Sequence, residues 1–248
     1  MKIRKKRPKP SGGGLPFYVV GYSPPAPSLT ELQLWFDLEY GGPLKVTGSE
    51  PTLLTHGPWT AWAKIPLPEA AAEDWAMQLD WRHRAAALIL RPAVTPQQAC
   101  DTILHSARLA RGLGLLTQGT AYDLGTHTFL NPSEWQDRPL DRFCPSHHIL
   151  TMQSELPDPM TGWFHTLGLS KFGLDELETF RPTGLPAQPV LDTLHEIAGE
   201  LLRIGRSPSV GTTLSLPLQG LTVSIIRHRT AAPAGRSMPF REITWPSK

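Results

Sequence analysis

The sequence is poor in cysteine and lacks any long apolar run. Only Cys100 and Cys144 occur among 248 residues, too few for the disulfide framework of a small secreted domain. No stretch reaches the roughly 18 consecutive apolar residues that a transmembrane helix needs. The basic start is not followed by the apolar segment of a secretory signal, because "PKPSGGGLP" intervenes. These absences predict a cytoplasmic protein without a membrane span.

Basic residues are fewer than acidic residues outside the first nine positions of the chain. Six of the 24 basic residues fall within the first nine positions, which leaves 18 basic against 22 acidic residues elsewhere. A mildly acidic body argues against specific nucleic-acid binding. We expect residues 1–14, which end in "SGGG", to form a solvated and disordered basic arm.

Complete catalytic motifs are missing as well. No P-loop pattern occurs, and the Gly-x-Gly at Gly112 closes a helical pattern instead of following a strand, so no nucleotide site is predicted. A nucleophile elbow requires Gly-x-Ser-x-Gly, but in "GLSKFG" Phe172 stands where the second glycine is needed after Ser170. The sequence therefore predicts no cofactor and gives no support for a serine hydrolase at Ser170.

Turn-forming residues are abundant. The 26 prolines and 21 glycines are spread along the chain, which is typical of many short elements joined by turns. Residues 15–92 follow the order β-α-β-β-α-β, with a capping box at Ser28 and Glu31 and a hairpin broken near Gly57. Because this is the ferredoxin-like order, we expect an α/β sandwich here.

Residues 93–248 are expected to form a second, mostly antiparallel sheet packed by helices, which makes the whole chain α+β. A helix that begins after Thr95 is predicted to end at Gly112 or Gly114. "HHILTMQSEL" and "GWFHTLGL" alternate like two strands joined by the turn "PDPMTG", and "QPVLDTLHEIAGELLRIG" has the strongest helical pattern in the chain. One continuous domain over residues 15–248 is the alternative to this division.

Four histidines, His127, His147, His148 and His165, fall on the strands predicted for the middle of the chain. Strands of one sheet can bring such residues together, so a metal-dependent hydrolase centred on His127, His148 and His165 is one hypothesis. Zinc sites usually contain close ligand pairs, and "CPSH" is the one short pair in this region. We therefore predict no metal site.

Carboxylates and aromatic residues provide the other candidates. On a strand, Glu176 and Glu178 share one face, which suits a solvated edge whose charge prevents aggregation. Trp135 and Trp163 suggest an aromatic pocket, and a small-ligand sensor is a further hypothesis. The residues that we select as candidates for binding are Trp163, His165, Trp135, Tyr122 and Glu176.

The stretch "GWFHTLGLSKFGLDELETFRP", the following helical pattern and "GTTLSLPL" resemble, in order, bacterial proteins of the suppressor-of-fused-like domain group. The matching positions lie in about the last 130 residues of the chain; they are Thr166, Gly168, Phe172, Gly173, Glu176, Leu177 and Gly211. The resemblance implies a partner-binding α/β module, in some cases linked to toxin immunity. It supplies no catalytic residues.

Together these observations predict a non-catalytic, cytoplasmic protein-interaction module, for which the resemblance implies an immunity-like role. A protein partner is expected. The histidine-centred hydrolase and the small-ligand sensor are the alternatives.

Overall fold

The computed structural model describes residues 15–92, 95–230 and 238–245, apart from the side chains of residues 96 and 97. The expected basic arm, residues 1–14, lies outside them. The chain divides into two compact units: unit 1 takes its described residues from 1–94, 101–124 and 128–142, and unit 2 from 95–100, 125–127 and 143–248. Each unit contains a largely antiparallel sheet and helices, which confirms the α+β class.

Unit 1 contains a seven-stranded antiparallel sheet. Its strands are β1 (Leu15–Tyr22), β2 (Lys45–Thr47), β3 (Thr52–His56), β4 (Trp59–Lys64), β5 (Ala85–Arg91), β6 (Thr120–Asp123) and β7 (Thr128–Leu130). The order across the sheet is β2-β3-β4-β5-β1-β6-β7. The predicted hairpin around Gly57 is present as β3 and β4.

The arrangement of this sheet differs from the ferredoxin-like expectation, although the order of elements along the chain agrees with it. Strand β5 pairs with both β4 and β1, whereas a ferredoxin-like sheet has its last strand on the outer side of the first. Strand β6 takes that outer position. The sheet therefore continues past the expected boundary at residue 92. Hydrophobic periodicity reports on local structure, while strand order depends on contacts between distant segments.

The described residues of the first part of the chain contain four helices, and two of them begin where the sequence predicts, after Ser28 and after Thr95. The four are α1 (Leu29–Tyr40), α2 (Glu69–Leu79), α3 (Pro96–Thr117) and α4 (Pro132–Gln136). At α1, Glu31 N donates to Ser28 Oγ at 3.1 Å and Ser28 N donates to the Glu31 carboxylate at 2.7 Å, so the capping box is confirmed.

Helix α3 does not end at Gly112 or Gly114, as predicted, but continues to Thr117. Both glycines allow close packing inside the helix. A Cβ on Gly112 would lie 2.7 Å from the ring of Trp35, and a Cβ on Gly114 would lie 3.1 Å from Trp135 Nε1. The tryptophans that require these glycines come from distant parts of the chain, which is why local pattern suggested a helix end.

His105 is buried in the core of unit 1, on α3. Its Nε2 lies 3.3 Å from the carbonyl oxygen of Leu54, and its ring contacts those of Phe36 and His56. Burial lowers the pKa of His105 to about 4, a shift that the hydrogen bond to Leu54 opposes. The imidazole is therefore neutral in the folded protein at neutral pH.

We expect the free energy of unfolding to decrease as the pH falls from 6.5 to 4, because unfolded His105 binds a proton in this range and folded His105 does not. The difference between these pKa values corresponds to about 3 kcal/mol. Denaturant titrations of the wild type and of His105→Phe across this range test the expectation. The variant should lose most of this component of the pH dependence; equal slopes for both proteins would contradict the assignment.

Unit 2 contains a six-stranded sheet in the order β11-β12-β13-β10-β9-β8. All neighbouring strands are antiparallel except β10 and β13, which are parallel. The strands are β8 (Leu150–Ser154), β9 (Thr161–Leu167), β10 (Glu176–Pro182), β11 (Thr213–Leu216), β12 (Leu221–Arg229) and β13 (Phe240–Thr244). The predicted hairpin of β8 and β9 around "PDPMTG" is confirmed.

Helix α5 (Gln188–Ile204) packs against β8, β9 and β10. The helix that the sequence pattern predicts is present, and its buried residues are Val190, Thr193, Leu194, Ile197, Ala198 and Leu201. Across residues 15–92, 95–230 and 238–245, none of the helices has both the length and the apolar character needed to cross a membrane.

Candidate functional site

One face of the unit 2 sheet carries a buried polar cluster centred on Trp163 and His165. These residues lie two positions apart on β9, so their side chains share a face. Their rings stack at a centroid distance of 4.0 Å, and Phe240 of β13 meets the His165 ring edge-on at 6.1 Å. Glu178 of β10 pairs directly with His165 across the strands. The cluster is therefore assembled from three neighbouring strands, β9, β10 and β13.

Glu178 is fully buried and forms an ionic network with β12 and β13. Its carboxylate accepts a hydrogen bond from Trp163 Nε1 at 3.1 Å and lies 3.0 Å from Arg229 Nε. Arg229 also donates to Glu242 at 3.0 Å. Burial raises the pKa of Glu178, and the charge of Arg229 opposes the shift. Arg229 is thus the cation that compensates a buried carboxylate.

Glu176 is also fully buried, but its carboxylate binds a turn of the backbone. It accepts hydrogen bonds from Thr166 Oγ1 at 2.8 Å and from three backbone N–H groups of the following turn; the donors are Gly168, Leu169 and Ser170, at 2.9 to 3.2 Å. Successive N–H groups of this kind form an anion-binding nest. Here the nest is filled by the protein's own side chain.

The prediction that Glu176 and Glu178 lie on a solvated edge strand is wrong. Strand β10 lies inside the sheet, between β13 and β9, and both carboxylates have no exposed surface. The sequence pattern gave no sign of this, because the donors that satisfy the charges come from a turn and from distant strands. Glu176, selected as a binding residue, is occupied by internal hydrogen bonds.

His165 is paired with a serine on the neighbouring strand. Ser154 Oγ of β8 lies 3.0 Å from His165 Nε2, and His165 Nδ1 lies 3.3 Å from the carbonyl oxygen of Thr166. Sequence reasoning considered Ser170 and missed Ser154. The predicted hairpin brings the two strands together, but only the register seen in the structure places Ser154 opposite Trp163 and next to His165 on one face.

The other predicted histidines are not on strands, which corrects the basis of the metal hypothesis. His127 is exposed in a turn with φ of 58°, and His148 follows a 3-10 turn that begins at Pro145. His148 is buried and stacks on Phe143 at 5.1 Å. Among the residues that the structure describes, no group of three or more His, Cys, Asp or Glu side chains is placed to hold a metal ion.

The two tryptophans selected for an aromatic pocket lie in different compact units. Trp135 of unit 1 is buried, contacts the ring of Tyr18 at 6.2 Å, and its carbonyl oxygen accepts a hydrogen bond from Arg111. Trp163 is buried in unit 2. Tyr122, the remaining binding candidate, is half-buried on β6 against Phe129. Each of these side chains is packed within its own unit.

Two connections of unit 2 form a hydrogen-bonded surface feature, which we call the loop pair: residues 155–160, between β8 and β9, and residues 183–187, between β10 and α5. Thr183 N donates to Met160 O and Thr183 Oγ1 donates to Pro159 O, both at 3.0 Å. Met160 is 70% exposed and Leu185 is 60% exposed. The loop pair therefore displays two large apolar side chains on connected backbone.

The conformation of the first loop is fixed from within. Asp158 accepts hydrogen bonds from Met160 N at 3.0 Å and from Thr161 Oγ1 at 2.7 Å. These bonds lower the pKa of the Asp158 carboxyl, with Thr161 making the larger contribution. Exposed prolines at 157, 159 and 186 further restrict both loops.

Comparison with protein-family models, with curated proteins and with solved structures finds no match for the chain. The resemblance to the suppressor-of-fused-like group stays a prediction. What the protein can bind or catalyse must therefore be argued from the positions of its own side chains. Glu176 and Glu178 are bound by internal donors, whereas Met160 and Leu185 of the loop pair are exposed and Ser154 is half-buried.

Proposed function

We propose that this protein is a cytoplasmic protein-interaction module that binds its partner through the loop pair. The observation that carries the proposal is the exposure of Met160 and Leu185 on two loops that are hydrogen-bonded to each other. Exposed apolar side chains on a fixed backbone favour binding, because little conformational entropy is lost when the partner covers them. An immunity-like role, as the suppressor-of-fused-like resemblance implies, is one form of this function.

The partner is expected to present an apolar surface to the loop pair. Full burial of a methionine or leucine side chain contributes about 1.5–3 kcal/mol, so the two residues together can account for a large part of a specific affinity. Because the two loops cannot rearrange freely, they should select partners whose surface fits their shape.

A double substitution, Met160→Ser with Leu185→Ser, tests the proposal. Partners captured from cells by the tagged wild-type chain are identified, purified and titrated against both proteins. We expect the variant to bind the true partner at least about 100-fold more weakly, from the loss of roughly 3 kcal/mol.

Leu218→Ser is the matched control, because Leu218 is 88% exposed but lies in the connection between β11 and β12. This variant should bind the partner with the wild-type dissociation constant. Equal affinities of wild type and double variant for every captured protein would contradict the proposal, as would equal losses in the double variant and the control.

A further inference from the structure

We infer that Ser154 and His165 form a nucleophile and general-base pair that can accept an acyl group from an apolar carboxylic ester. The inference is independent of the loop pair's role in binding and adds a chemical activity to it. It starts from the 3.0 Å approach of Ser154 Oγ to His165 Nε2. That separation is within the range of a nucleophile hydrogen-bonded to its base.

The hydrogen bonds of His165 determine which of its nitrogens can act as the base. The carbonyl oxygen of Thr166 can only accept, so Nδ1 of the neutral ring carries the proton in the contact at 3.3 Å. In that tautomer Nε2 carries no proton and is the acceptor, so the Ser154 hydroxyl is the donor. This is the tautomer that a general base for serine requires.

The position of the imidazole is fixed by packing. His165 has no exposed surface and lies stacked on Trp163, with Phe240 against its edge. A backbone carbonyl, that of Thr166, occupies the place that a carboxylate takes in a Ser-His-Asp triad. The base is therefore held in one orientation before any substrate arrives.

Ser154 is more accessible than its base. It is half-buried and ends β8, the last strand of the sheet, so no other strand of the described chain pairs with the outer edge of β8. Leu156, two residues further on, packs against the buried cluster that Trp163 and Phe240 form. Leu156 is half-buried, so it is the apolar side chain near Ser154 in sequence that an apolar acyl group can contact.

The acyl transfer needs no reagent other than the ester and water. Ser154 Oγ forms a bond to the ester carbonyl carbon while its proton passes to His165 Nε2. The ester C–O bond then breaks, and the departing alkoxide takes the proton from Nε2. Water attacks the acyl-serine in the same way, its proton passes through Nε2 to Ser154 Oγ, and the carboxylic acid is released.

A fluorophosphonate probe and p-nitrophenyl butyrate test this inference on the full chain. The probe should add to one serine per protein, with loss of fluoride, and fragmentation of the modified peptide should place the adduct on Ser154. Labelling and ester hydrolysis should both slow at acid pH, over a range in which circular dichroism shows the protein folded, because a protonated Nε2 cannot accept the hydroxyl proton. Glu178, which pairs with His165 across the strands, is the carboxylate that faces the ring. Ser154→Ala should abolish labelling, and His165→Gln should slow it by at least about 100-fold.

Ser170→Ala is the matched control, because Ser170 lies in the same stretch of sequence and is exposed. Its labelling should equal that of the wild type. Circular dichroism checks that His165→Gln is folded. If it is not, the inference is tested by the acid-pH dependence of wild-type labelling and by the loss of labelling in Ser154→Ala. Absence of an adduct on Ser154 under conditions that label a known serine hydrolase would overturn the inference, as would labelling of Ser154 that does not depend on pH.

Discussion

Replacing Arg229 with methionine is expected to lower the free energy of unfolding by about 3–5 kcal/mol at pH 8, because it leaves the buried carboxylate of Glu178 without its cation. Methionine retains much of the apolar volume of the arginine side chain, so the loss reports mainly on charge. Denaturant titration of both proteins measures it. Glu178→Gln in the Arg229→Met background should recover part of the loss, since the uncompensated charge is then gone.

The pH dependence of the same variant provides a second measurement. Burial already raises the pKa of Glu178 in the wild type, and removal of Arg229 should raise it further. Between the unfolded and folded pKa values the folded state binds the additional proton, so stability decreases as the pH rises through that range. We expect Arg229→Met to be less destabilising at pH 5 than at pH 8.

Arg227→Met is the matched control for this experiment. Arg227 lies on the same strand and contacts Glu242 at 3.4 Å, but its side chain is 59% exposed. An exposed ion pair contributes at most about 1 kcal/mol, so the control should remain close to the wild type. Comparable losses in Arg227→Met and Arg229→Met would show that the buried network does not have the importance we assign to it.

Glu176→Gln is expected to destabilise the protein by about 3–5 kcal/mol. Glutamine keeps one carbonyl oxygen as an acceptor, but its amide NH₂ group would face N–H and O–H groups that donate to Glu176 in the wild type. The negative charge that strengthens these hydrogen bonds is also lost. The measurement is again the free energy of unfolding, supported by hydrogen exchange at Gly168, Leu169 and Ser170. Exchange at these amides should accelerate beyond the global change.

Glu155→Gln separates this effect from a general effect of charge. Glu155 is exposed at the end of β8, and its replacement should change stability by no more than about 0.5 kcal/mol. If Glu176→Gln and Glu155→Gln lower the free energy of unfolding by the same amount, the hydrogen bonds of Glu176 do not stabilise the turn.

The predictions from sequence succeeded where a few neighbouring residues decide the structure. The capping box of Ser28 and Glu31 was recognisable because its partners lie three positions apart. Helix α5 was recognisable from its apolar period, and the hairpin of β8 and β9 from alternation on both sides of one turn. The same local signals were sufficient for the α+β class.

The predictions differed from the structure where distant segments meet. The glycines of α3 were interpreted as a helix end, because Trp35 and Trp135, which pack against them, are far away in sequence. The position of β5 between β4 and β1 likewise depends on pairing that periodicity does not report.

The sequence by itself determined the class of the fold, the caps, the amphipathic helix and the hairpin that carries His165. Only the tertiary structure decided that Glu176 and Glu178 are buried, because a carboxylate can enter a core only where donors or a cation meet it, and here these come from a turn and from Arg229 on β12. It also decided that the serine beside His165 is Ser154 and not Ser170, because cross-strand register, not closeness in sequence, brings a hydroxyl to an imidazole.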